Sequence, residues 1–222
     1  MWSGDHDGAL SLAQRVMETA GDDVARYSEG AHVATAIHVR CARWDDAEHL
    51  LAEWEPRVPQ TPPNRLTFGY ECLRAHLAIG RGDPGDALVR LRSRDAAVQQ
   101  TGSLLAPVNL GDWLWPHVEA ACALLHRGEL APARRAEAVG WAKTIANQTP
   151  AFMHPIGHRA LAALDPSGAH VSAALEQSAA GTVPYVRYLA LEAAVASGEK
   201  KWSAELSAIS QKHGFMPPWT RD

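Results

Sequence analysis

Six times along this chain a small residue or sharp turn is followed five positions later by alanine or serine. The segments begin at Gly4, Ala42, Gly82, Gly128, Leu164 and Gly198 and end at Ala9, Ala47, Ala87, Ala133, Ala169 and Ser203. Their starts lie 38, 40, 46, 36 and 34 residues apart. Stacked helical hairpins leave a period of that length in a sequence, one turn for each pair of antiparallel helices. The spacing predicts an all-α chain, a right-handed α-solenoid of about five and a half antiparallel helical hairpins. It forms a single helical-repeat domain over residues 1–222, with hairpin turns near 4, 42, 82, 128, 164 and 198.

The text between the markers agrees with helices. Residues 27–41 contain no proline, and Val33, Ala34 and Ile37 recur at helical spacing. Asp45 and Asp46 fall where the helix dipole favours acids, and Asp83 before Pro84 reads as an N-cap followed by a first helical residue. Pro56, Pro59, Pro62 and Pro63 force an extended connection. Antiparallel helices approach closely only where the crossing residues are small. Seven positions before the markers stand Thr35, Ala75, Ala121, Gly157 and Leu191, mostly small, and five after them stand the alanines and Ser203. No β alternation is present.

Composition narrows the function classes. The chain of 222 residues is 46% hydrophobic and carries a formal net charge of −4. No Lys/Arg stripe stands out, so no direct nucleic-acid partner is expected. Cys41, Cys72 and Cys122 are odd in number, far apart and form no Cys-x-x-Cys pair. They read as reduced thiols of a cytoplasmic protein, without a disulfide framework or structural zinc. No apolar run is long enough for a membrane span, and the acidic start does not read as a signal peptide.

The turn-centred pattern of small residues resembles the tetratricopeptide repeat, although most spacings exceed 34 and the aromatic marks of the first helix are largely absent. Residues 77–213 are also similar to the C-terminal helical region of large ATP-dependent LuxR-family transcription regulators. The phrases that carry this are Leu-Ala-Ile-Gly-Arg-Gly-Asp-Pro-Gly-Asp-Ala-Leu (77–88), Trp-Pro-His-Val-Glu-Ala-Ala-Cys-Ala-Leu-Leu-His-Arg-Gly-Glu-Leu (115–130) and Val-Arg-Tyr-Leu-Ala-Leu-Glu-Ala-Ala (186–194). The resemblance implies a sensing or scaffold module that binds a protein partner or small-molecule effector in a bacterial regulatory system. No Gly-x-x-x-x-Gly-Lys-Ser/Thr loop is present to support ATP hydrolysis. The first marker is Gly4, so the chain opens on the second helix of a hairpin, with Leu10, Leu12 and Val16 on its apolar face. Either that helix packs wholly on the next hairpin or, as expected here, a partner or a missing upstream segment covers the face, with a homodimer through the helix as one form of partner.

In tetratricopeptide register, the positions ten and six before each marker face the concave groove. One row is His32, Cys72, Val118, His154 and Tyr188, and the other is Ala36, His76, Cys122, His158 and Glu192. Trp115 and Tyr185 lie one turn away on the same face. The expected ligand-binding set is therefore His32, Cys72, His76, Trp115, Cys122, His154, His158, Tyr185, Tyr188 and Glu192. Imidazoles in such number suit an anionic or hydrogen-bonding small molecule or peptide.

Other readings remain open at this point. Each histidine, taken singly, also fits a packing role, and the chain also fits a purely structural module. A small enzyme or metal protein using His76, His154 and His158 is the alternative from another class. His154 and His158 have the spacing of two ligands on one helix, but proline stands where His-Glu-x-x-His has glutamate. Cys72 or Cys122 beside a histidine suits covalent chemistry, without an oxyanion-hole motif to support it. The expectation is no catalytic residue, no cofactor and no metal.

Overall fold

The computed structural model describes residues 5–58, 65–100, 106–165, 169–179 and 183–216. Among them are eleven α-helices and no strand. These are α1 (His6–Glu18), α2 (Val24–Arg40), α3 (Trp44–Trp54), α4 (Arg65–Gly80), α5 (Pro84–Gln100), α6 (Pro107–His126), α7 (Pro132–Gln148), α8 (His154–Leu164), α9 (Ala169–Ala179), α10 (Pro184–Ala196) and α11 (Ser203–His213). No described helix is long and apolar enough to cross a membrane.

Backbone chemistry at the turns dictates the hairpins. After α2, α4, α6 and α10 the chain makes the same pair of bonds. The N–H groups of Arg43, Asp83, Glu129 and Glu199 donate to the carbonyls of His38, Ala78, Leu124 and Ala194. The N–H groups of Ala42, Gly82, Gly128 and Gly198 donate to Val39, Ile79, Leu125 and Val195. This is the Schellman closure, which needs a left-handed residue. Glycine meets that need at 82, 128 and 198, with φ of 88°, 71° and 100°, while Ala42 adopts φ 53° despite its Cβ. Asp83 Oδ1 then accepts from the Asp86 N–H and caps α5 behind Pro84. Gly4 and residues 166–168, which follow the marker at Leu164, lie outside the described residues.

The even-numbered helices α2, α4, α6, α8 and α10 pack in succession as one layer. In the other layer α3, α5, α7 and α9 each bridge two consecutive members of the first, and α11 packs on α10. Close approach depends on small side chains. Thr35, Ala75 and Leu191 are fully buried, Gly157 is buried, and a Cβ on Gly157 would lie 2.5 Å from the Ala146 nitrogen. In the covering layer the expected small positions divide. Ala47 and Ala87 are fully buried, whereas Ala133 and Ala169 are exposed. The delayed helix starts at Pro132 and Ala169 put both alanines in a first turn, and α7 buries Ala138 and Ala142 instead.

The even-numbered layer curls far enough for its ends to meet. The Arg40 guanidinium of α2 lies 5.3 Å from the Tyr185 ring centre of α10. Beyond α11 the chain returns to the first hairpin. Cys41 Sγ donates to the His213 carbonyl at 3.5 Å, and the Met216 N–H donates to the Arg40 carbonyl at 3.4 Å. Phe215 is buried against the rings of His6, Tyr185 and Tyr188. On α1, Leu10 and Met17 pack on the core of α2 and α3, and Leu12 is 56% exposed.

Candidate functional site

The curled layer encloses a two-compartment groove between α2, α4 and α6. Its closed end has a volume of about 230 Å³ and reaches Tyr185 of α10 and Phe152. A wider compartment of about 590 Å³ lies beyond it, with Trp54, Leu66 and Asn109 on its wall. His32, Phe68, Gly69 and Asp112 line both compartments and mark their junction. Gly69 keeps that junction open, because a Cβ there would stand 3.0 Å from His32 Nδ1.

Five residues of the sequence-predicted set meet in the closed end: His32, Cys72, His76, Trp115 and Tyr185. Four helices carry them to one place. His32 is on α2, Cys72 and His76 are successive turns of α4, Trp115 is on α6, and Tyr185 opens α10. The His76 and Trp115 rings meet edge to face at 5.6 Å, and Trp115 faces Tyr185 at 6.1 Å. Of the paired tryptophans, Trp115 walls the cavity, while Trp113 is core and donates to Asp95 at 2.9 Å.

The other five are placed elsewhere. His154 Nε2 bonds to the Thr149 carbonyl at 2.7 Å. His158 turns toward α9, stacking on His170 at 5.8 Å and meeting Gln177 at 3.3 Å. Cys122 is buried in the core. Tyr188 packs between Tyr185 and Phe215. Glu192 accepts from Arg159 at 2.8 Å. The residue of α8 that faces the other inner helices is therefore Arg159, one position along from His158. Its guanidinium also donates to Glu119, which in turn accepts from Trp115 Nε1 at 3.0 Å.

Two charged residues complete the closed end, Arg40 and Asp112. Arg40 continues the row of His32 and Ala36 by one further turn, a spacing legible in the sequence. Its guanidinium lies over the rings of Trp115 and Tyr185, at 5.9 and 5.3 Å. Burial lowers its pKa, opposed by the Tyr185 oxygen and the Asp112 carboxylate. Asp112 stands one turn before Trp115 on the long helix α6. The cavity thus contains a cation and a carboxylate between aromatic walls.

His76 acts differently from a charged imidazole. Burial, with Arg40 and His32 nearby, pushes its pKa down to about 3, so the ring is neutral at pH 7. One ring nitrogen bonds to the Cys72 carbonyl, while Nε2 is buried and has no hydrogen-bond partner. With Nδ1 donating to that carbonyl, Nε2 presents a lone pair. The imidazole is an acceptor, and the positive charge expected from the histidines comes from Arg40.

Burial sets the state of the cavity and core thiols. Burial pushes the Cys72 thiol well up, with Asp112 and Glu71 adding to the effect, and burial pushes Cys122 up as well. Both remain protonated thiols at neutral pH, which are poor nucleophiles. His76, His154 and His158 do not converge, and no group of three His, Cys, Asp or Glu side chains among the described residues is arranged to hold a metal. Compared with protein-family models, curated proteins and solved structures, the chain matches none of them.

Proposed function

We propose that the chain is a helical-repeat binding module that holds a small molecule in the groove between α2, α4 and α6. One observation carries the reading: Arg40, Asp112, His76, Cys72, Trp115 and Tyr185, drawn from four helices, line a single cavity. Concave sites with apolar walls and a few convergent polar groups are how proteins hold small ligands. The finer architecture we infer is a right-handed tetratricopeptide-like superhelix, on the strength of the repeat spacing. Its assignment as the sensing part of a bacterial regulator rests on the phrases at 77–88, 115–130 and 186–194.

The test is a thermal-shift panel of amino acids, carboxylic acids, sugars and nucleosides, run on the wild type and on Gly69→Leu. Leucine at 69 fills the junction beside His32. The reading expects at least one compound to raise the wild-type melting temperature and to lose that effect in Gly69→Leu. Compounds that stabilise both proteins equally, or none that stabilises the wild type, overturn it.

A further inference from the structure

On the groove reading, and resting on it, His76 defines the class of ligand. His76 lines the closed end, and its Nε2 is buried without a hydrogen-bond partner. The other ring nitrogen is bonded to the Cys72 carbonyl, so Nε2 presents a lone pair. A buried acceptor left unmet is costly, and a ligand that donates to it removes that cost. The surroundings of the ring fix the charge of the donor. Arg40 and His32 both oppose positive charge on His76, and an ammonium placed against Nε2 would meet the same opposition. A carboxylate or phenolate oxygen there would set acceptor against acceptor. What remains is a neutral O–H or N–H. Arg40, Asp112 and His32 have interactions of their own, and the ligand needs none of them.

The wall around this acceptor calls for a ring. Phe68, Trp115 and Tyr185 line the closed end together with Val39 and Leu73. The Trp115 ring stands edge to face with His76 at 5.6 Å, and its own N–H is committed to Glu119, so it offers the ligand an aromatic surface. The closed end has a volume of about 230 Å³. A dry cavity of about 150 Å³ holds benzene, so one ring with a few added atoms, or a fused pair, fits here.

We infer that the closed end is a site for a small neutral aromatic molecule with one O–H or N–H donor, such as a phenol, an aryl alcohol or an indole. The donor bonds to His76 Nε2 and the ring lies against Trp115.

The test uses the full chain and pairs of molecules equal in shape but differing in the donor: phenol with toluene, and indole with indene. Isothermal titration at pH 7 is expected to show saturable binding of phenol or indole, with its donor-free counterpart at least tenfold weaker. Benzyl alcohol is expected to bind more tightly than either benzylammonium or benzoate, which carry the charges that Nε2 excludes. His76→Leu should erase the preference within each pair while the apolar member still binds. The comparison of pairs on the wild type holds whether or not the variant folds. Equal affinity within both pairs, tighter binding of benzylammonium or benzoate than of benzyl alcohol, or no saturable binding of phenol or indole overturns the inference. Binding that persists unchanged in both Gly69→Leu and Ala36→Phe instead overturns the groove reading beneath it.

Discussion

Arg159 of α8 donates to both carboxylate oxygens of Glu119 on α6, at 2.9 and 3.1 Å, and both side chains are 2% exposed. The same guanidinium reaches Glu192 of α10 at 2.8 Å. Three consecutive helices of the even-numbered layer are thereby joined through one cation. Glu119 also accepts from Trp115, so the ion network braces a wall of the cavity.

Breaking that pair leaves a charge in the core. Arg159→Met is expected to destabilise the protein by about 3–5 kcal/mol, because Glu119 loses its compensating cation. The double variant Arg159→Met/Glu119→Leu is expected to recover a large part of this loss, since replacing a buried pair costs less than halving it. Urea unfolding of the three proteins measures both effects. Equal loss in the single and double variants would contradict the account.

Acid should weaken the fold partly through His76. Its folded pKa of about 3 lies below the ordinary 6.5. As pH falls between these values the unfolded chain takes up a proton that the folded chain refuses, so stability is lost. Above 6.5 both states are neutral and the contribution is constant. The full slope is about 1.4 kcal/mol per pH unit. Urea titrations between pH 7.5 and 4.5 should therefore give a shallower pH dependence for His76→Gln than for the wild type. Identical slopes would refute the buried neutral imidazole.

The first complete turn contains a correctable strain. Ala42 holds φ 53° where its counterparts are glycine. Ala42→Gly is expected to stabilise the chain by about 0.5–1 kcal/mol. Gly198→Ala, at φ 100°, is expected to destabilise it by at least as much. Thermal melts of the two variants should move in opposite directions.

Phe215 links the two ends of the described fold. Phe215→Ala is expected to cost about 3–5 kcal/mol, as for other buried phenylalanines. Hydrogen exchange should rise first in α1, the start of α10 and the Cys41 turn, which it joins. Uniform exchange with a loss below about 1 kcal/mol would show that Phe215 does not fasten this closure.

The hairpin plan was legible because local chemistry writes it. A left-handed residue, a following cap and a small crossing residue must occur at set offsets, as at Gly82, Asp83 and Ala75. The groove was legible only in part. His32, Cys72 and His76 follow from the register of α2 and α4. On α8 the register fails by one residue: Gly157 packs against Ala142 and Ala146, His158 turns toward α9, and Arg159 takes the inner face. Arg40 lies on the same row as His32 and Ala36, but its contact with Tyr185 comes from the curl that brings α10 against α2. That curl is a tertiary property with no signature in any single repeat.

The most direct measurement is an NMR titration of the histidine imidazole signals, assigned by single His→Gln variants, with the compound that most raises the wild-type melting temperature in the thermal-shift panel. The account predicts saturable shifts at His32 and His76, with His154 and His158 unmoved. Shifts confined to His154 and His158, or no shift at His76 at a saturating concentration of that compound, would contradict it.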